Sequence, residues 1–407
     1  MINSRILLAC NVLIFVSCSK KSSSCEKTIS ITYWGEQNRV VFMQKAALRF
    51  MKEHPVIKIS LQHIPAKGYS QKIKNLIASG DAPDIMQTMN EDFIFMRDRG
   101  QICALDDIGS VDKKDFIPQI ISTLSKNNKL YGLSYFFNYF CSYYNKDIFE
   151  SMGLPCPDER FSWDNLYQTG KKITRRGKNG IIEQLGSYGL NYEIFLETHG
   201  NTLFDEHHTR INVNNKIVKN ALDDYKNYLQ SGGSVIDTGG DFAPRENFPG
   251  GKIGILLDGT WTLADFIKIK QMNYDMTIYP YSTEKTMKFT VNCFVIPQNT
   301  KNQLEALIFL EYLTSEKMQD IMAHLGIGVP TRQSALTQYY LIKLLPKGIS
   351  LLKQESQYLS PAKTFPKSAE IIACLGDYCS VYLTEKNIDF DKHFCELEKK
   401  INTLLQD

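Results

Sequence analysis

The chain has 407 residues, enough for two or three domains and a large buried core. It is 43% hydrophobic, 22% charged and 11% aromatic, a composition that excludes whole-chain disorder, collagen-like repeats and a disulfide mini-scaffold. Lys+Arg 47 against Asp+Glu 44 leaves a formal charge of +3, too balanced to call for a nucleic-acid partner.

The N-terminus carries one cation, Arg5, and then an apolar run from Ile6 to Val16 broken only by Asn11. A helix needs about 20 residues to span a bilayer, so this run fits a secretory signal instead. Ser17 and Cys18 follow, then the polar stretch SKKSSS. The arrangement resembles a bacterial lipobox, with Phe15 where leucine is usual. It makes residues 1–17 a signal peptide, Cys18 the lipidated first residue of the mature chain and residues 18–27 a tether. Plain secretion and an uncleaved anchor are the competing readings. The other cysteines show no CxxC spacing. Cys374 and Cys379 are near enough in sequence to bridge, which sequence alone does not decide between a bridge and buried free thiols.

From Thr28 the pattern alternates. Ile29, Ile31 and Tyr33 share one strand face, and Phe42, Ala46 and Phe50 then mark a helix. Ile57, Ile59 and Leu61 define a second strand. Ile73, Leu76 and Ile77 define a second helix closed by Gly80, and Ile85-Met86 begins a third strand. This β-α-β-α-β order predicts an α/β layer with a parallel sheet. Further along, Asn191 to Asn215 reads as helix, turn and short strand, and Ile253 to Leu257 as a buried strand. Val291, Cys293 and Val295 read as one alternating strand, and beyond about Gln354 the chain reads as mainly helical.

No catalytic signature is present: no G-x-S-x-G, no H-E-x-x-H, no Walker loop and no G-x-G-x-x-G opening a helix. Asp205-Glu206-His207-His208, with His199 nearby, reads as an exposed turn rather than a metal site, so no metal or cofactor is expected. Five short segments mix aromatic, amide and small residues at element ends: Trp34 to Gln37, Asn90-Glu91, Tyr135 to Phe137, Asp258 to Trp261 and Gly326 to Arg332. Ligands of open α/β sheets bind beyond the carboxyl ends of the strands, and Trp34 and the residues after Met86 sit there.

Taken in order, several stretches resemble the family 1 extracellular solute-binding proteins, the sugar-type receptors of bacterial ABC importers. They are ITYWGEQN, ASGDAPDIMQ, the block LYGLSYFFNYFCSYYNKDIFESMGLPCPDERFSWDNL, GKIGILLDGTWTLADF, NTKNQLEALIFLEYLTSEKMQ and GIGVPTRQSAL. Ser134 departs from the usual proline, and Asp258 from a small or apolar residue. The resemblance implies a two-lobe α/β periplasmic-binding fold with a hinge crossed three times, near Ser134–Phe137, Thr286–Val291 and Gly326–Val329. One lobe would hold residues 28–134 plus 292–327, the other 135–288 plus 328–407. It further implies a non-enzymatic monomer on the cell surface or in the periplasm, held by its lipid anchor. Such a receptor captures a sugar or polyol between closing lobes and docks on membrane permease subunits. The competing reading is a surface-anchored carbohydrate hydrolase. Trp261, Trp34, Tyr135 and Phe137 are the stacking candidates, because a flat aromatic face meets the C–H face of a pyranose. Glu36, Asn90, Glu91 and Arg332 are the polar candidates. Arg332 keeps an acidic or phosphorylated sugar open as an alternative.

Overall fold

The computed structural model describes residues 26–406 apart from 89, 206, 208, 237–243, 363, 364 and 366, and leaves out the side chains of Asn90, Arg245 and Leu352. Cys18, the signal and most of the tether lie outside the described residues. The first elements are β1 (Lys27–Tyr33), α1 (Gln37–Glu53), β2 (Ile57–His63), α2 (Tyr69–Ser79), β3 (Ile85–Thr88) and α3 (Asn90–Asp98). β1 lies between β2 and β3, parallel to both. Ile29, Ile31 and Tyr33 are buried on one face of β1, and Phe42, Ala46 and Phe50 of α1 are buried as well. α2 ends at Gly80, whose φ of 79° is the left-handed conformation that a Cβ would penalise.

The second half builds a larger mixed sheet. Its elements are β4 (Phe136–Asn145), α4 (Trp163–Ile173), β5 (Ile182–Tyr188), α5 (Tyr192–Thr198), α6 (Lys216–Gln230), β6 (Ile253–Gly259), β7 (Tyr274–Ile278) and β8 (Met287–Thr290). Next come β9 (Cys293–Val295), α7 (Gln303–Leu313), α8 (Glu316–His324), β10 (Val329–Pro330), β11 (Leu359–Pro361), α9 (Ser368–Thr384) and α10 (Phe390–Gln406). The long β4 is antiparallel to β6, β7, β8 and β10. β5 runs parallel to β6, and β11 parallel to β8. Local chemistry starts α4 where it does: Ser162 and Asn165 form a reciprocal capping box. At the remote turn after α5, Phe204 bridges Ile211, as a helix, turn and short strand predict.

Sequence alternation from Phe289 to Val295 reads as one strand, and the structure divides it. β8 joins the large sheet, the chain passes through Val291-Asn292, and β9 pairs antiparallel with β3 in the four-stranded sheet. Alternation cannot see this, because both short strands are buried. Ser134 ties the start of β4 to the passage between β8 and β9 and to the end of β10. Its hydroxyl donates to the carbonyls of Phe136 and Asn292 at 2.6 and 2.7 Å, and its own carbonyl accepts from Thr331 Oγ1 at 2.6 Å. Buried side chains form two clusters. One runs from the four-stranded sheet and its helices through one side of the larger sheet, including β4, β7 and β8; the other packs α4, α5, α6, α9 and α10 against Ile255 and Leu257 of β6. Cys374 and Cys379 lie buried on α9 as free thiols, so no bridge joins them. Among the described residues no helix is long and apolar enough to cross a membrane.

Candidate functional site

Two strand ends face each other. β1 ends at Tyr33, and Trp34-Gly35-Glu36 leads into α1; β6 ends at Gly259, and Thr260-Trp261-Thr262 makes a 3-10 turn. Between them is a cavity of about 410 Å³ whose lining includes Trp34, Glu36, Arg39, His63, Trp261 and Asp265. Both indoles thus border one space at the carboxyl ends of strands from two sheets, where open α/β sheets place ligands.

Each indole is held by its surroundings. Trp34 packs on Tyr69, with ring centroids 4.7 Å apart, and its amide donates to Gln87 Oε1 at 3.2 Å. The Tyr69 hydroxyl donates to the carbonyl of Gln87 at 2.8 Å, and burial raises its pKa. Trp261 meets Phe140 edge-on, centroids 5.1 Å apart, and stays partly exposed. Its turn is fixed by Asp258, whose carboxylate accepts from Gly259 N at 2.8 Å and from Thr262 Oγ1 at 2.6 Å. Gly259 is required by packing rather than by backbone: a Cβ there would lie 2.2 Å from the Trp261 ring.

The charged lining is mixed. Arg39 Nη1 donates to the Trp34 carbonyl at 3.2 Å, and the guanidinium lies 4.7 Å over the Phe136 ring. Burial lowers the Arg39 pKa, and nearby Tyr135 and Glu36 oppose that shift. His63 Nε2 is 2.9 Å from the Gly35 carbonyl, which holds the ring at the cavity edge. Glu36 is exposed at the entrance to α1. The arrangement offers aromatic faces with polar groups of both signs, which suits a hydroxyl-rich solute.

The predicted residues separate into two groups. Trp34, Glu36 and Trp261 line one cavity. Tyr135 and Phe137 do not: both are fully buried. Tyr135 stacks on Phe294 and meets a tilted Phe42 ring, and burial raises its pKa. Phe137 meets Phe289 edge-on. They follow Ser134 into β4, where both faces of the strand are covered, so aromatic character there serves the core. Arg332 is likewise engaged elsewhere. Its Nε donates to the Thr314 carbonyl at 2.6 Å, Nη1 is 3.4 Å from Asp115, and the guanidinium lies 4.1 Å over Phe116. Glu91 accepts hydrogen bonds from Ser368 Oγ and Ala369 N rather than lining the cavity. Asn90 opens α3, and its side chain is outside the described atoms.

Arg39, His63 and Asp265 were missed. His63 ends β2, a strand parallel to β1, so the strand-end rule alone would have found it. Arg39 lies in the first turn of α1, two residues past the segment Trp34 to Gln37, and Asp265 shortly follows Trp261.

Comparison with known proteins agrees with this geometry. The sequence pattern of the bacterial extracellular solute-binding proteins matches residues 35–320. An arabinooligosaccharide-binding protein of Bacillus subtilis is 27% identical over 278 residues, 64% of this chain and 62% of that protein. A lactose-binding protein of Rhizobium radiobacter is 22% identical, over 57% of this chain and 56% of its own length. The chain therefore aligns with less than two thirds of either relative. Among solved structures, the ABC substrate-binding protein Lmo0181 of Listeria monocytogenes, in complex with cycloalternan, superposes with a TM-score of 0.82 at 20% identity. That match covers 94% of this chain and 99% of that one. The mixed α/β architecture is thus the two-lobe fold of these binding proteins, and the chain belongs to the bacterial extracellular solute-binding protein family.

Proposed function

We propose that this protein captures a sugar or sugar-like polyol between two closing lobes and hands it to the permease of an ABC importer, without chemistry of its own. The observation that carries this is the cavity bordered by Trp34 and Trp261, at strand ends of two different sheets. Trp261 presents a partly exposed face and Trp34 the opposing wall, while Glu36, Arg39, His63 and Asp265 supply fixed donors and acceptors. Curated relatives whose names state oligosaccharide and lactose binding support the solute class. With Arg332 held by Asp115, Thr314 and Phe116, a neutral saccharide is favoured over an acidic one. The lobes in this reading are residues 28–134 with 292–327 and 135–288 with 328–407.

A thermal-shift screen of mono- and oligosaccharides finds the solute. Trp261→Ala then weakens its binding by about 30-fold or more, a hot-spot loss of about 2 kcal/mol. The melting temperature without sugar falls only slightly, because the indole is not enclosed. Turnover of the bound glycan, or a shift only with peptides or metal ions, would sink the proposal.

The signal and Ser17-Cys18 support lipid anchoring in the periplasm or at the cell surface. Labelling with palmitate should reach the wild-type chain and be lost in Cys18→Ser; equal label in both rejects the anchor.

A further inference from the structure

Glu91 stands in the first turn of α3, directly after the four-stranded sheet, and α3 buries Phe93 and Met96 in the first hydrophobic cluster. Its Oε1 accepts hydrogen bonds from Ser368 Oγ and Ala369 N. Those donors begin α9, a 17-residue helix that buries Ile371, Leu375 and Cys379 in the second cluster. One carboxylate therefore joins the two cores.

The first turn of a helix leaves backbone N–H groups without partners and carries partial positive charge. Such groups are ordinarily met by Ser, Thr, Asp or Asn at the N-cap. The N-cap of α9 is instead Lys367, in the left-handed region at φ 62°, and an ammonium has no acceptor to offer. Glu91 supplies the acceptor that the N-cap side chain does not, through charge-assisted bonds to two donors. This cap forms only while α3 and α9 lie together. Rotation of the lobes apart would return Glu91, Ser368 and Ala369 to water.

We infer that Glu91 is a positioning residue for closure: it caps α9 from the opposite lobe and favours the closed arrangement without touching the solute. The inference rests on the proposed binding by lobe closure. An interaction made in one arrangement and absent in the other shifts the equilibrium by its full differential strength. A solute held in the cleft would accordingly leave more slowly than its own contacts dictate.

The test uses Glu91→Ala, which removes the acceptor, and Glu91→Gln, which keeps an acceptor oxygen without charge. Small-angle scattering is recorded first with no sugar present, alongside thermal melting. Glu91→Ala should show a larger radius of gyration than wild type, and Glu91→Gln an intermediate one. With a sugar from the screen, the dissociation rate should rise about tenfold in Glu91→Ala, the size of one lost cap, with little change in association. A lower melting temperature with unchanged scattering makes Glu91 a purely structural cap and overturns the inference. Abolished binding with unchanged scattering makes it a ligand contact and overturns it too. Because the first scattering measurement needs no solute, it stands even if no sugar binds and the transport reading fails.

Discussion

At the scale of single residues, exposure and partner decide whether an aromatic or a cation can meet a solute. Trp261 and Tyr135 look alike in sequence, each beside small residues at an element end. Gly259 leaves room for the indole of Trp261 at the cavity, whereas Tyr135 is enclosed by Phe42 and Phe294. Arg332 shows the same for charge. It is about 15% exposed and bound to Asp115 and the Thr314 carbonyl, so removing it loses charge-assisted bonds and its packing over Phe116. Arg332→Ala should therefore lower stability by about 2 kcal/mol, read by urea unfolding. Its sugar affinity should stay within about twofold of wild type, well under the 1.4 kcal/mol of a tenfold change. A clear loss of affinity with intact stability would return Arg332 to the binding site.

At the scale of elements, the four-stranded sheet is tied at the end remote from the cavity by Asp84. Its carboxylate accepts from Ser30 N and Oγ, both at 2.8 Å, from Thr300 Oγ1 and from Asn302 Nδ2 at 3.0 Å. These bonds join β1, the start of β3 and the loop after β9. Burial pushes the Asp84 pKa up, but the hydrogen bonds from Ser30, Thr300 and Asn302 outweigh it, and the net shift is downward. A carboxyl group whose folded pKa is depressed stabilises fully above its unfolded value of about 3.9. That contribution is lost as pH falls through the lower folded value. Asp84→Asn sets an amide donor among donors and should destabilise at pH 7. The gap between variant and wild type in urea midpoint should narrow below about pH 4. An equal gap at pH 7 and pH 3 would contradict this account.

At the scale of the whole molecule, the chain passes between sheets at places it also knots together. Ser134 bonds to Phe136, Asn292 and Thr331, so the start of β4, the passage between β8 and β9, and the end of β10 share one joint. Strands entering a common joint favour rotation of one body against another over independent bending. Under the proposed function, adding the sugar found by screening to the wild-type chain should lower its radius of gyration. Equal scattering with and without saturating sugar would argue for a rigid receptor.

The local pattern determined a good deal by itself. Alternation at Ile29, Ile31 and Tyr33 and the helical spacing of Phe42, Ala46 and Phe50 are local properties of the chain, and the structure keeps both. The strand-end position of Trp34 and Trp261 is local in the same sense, so both could be named as candidates. Their meeting across one cavity could not, since 226 residues lie between them and periodicity carries no pairing information. The division of Phe289 to Val295 between two sheets was hidden for the same reason: buried strands of either sheet are equally apolar. Tertiary structure also decided which polar residues were already engaged. Glu91 and Arg332 look free in sequence, but their partners, Ser368 and Ala369 for one and Asp115 and Thr314 for the other, lie far along the chain. A hydrogen-bonding group is available to a solute only when the fold has not already satisfied it, and that is settled by which distant segments the two cores bring together.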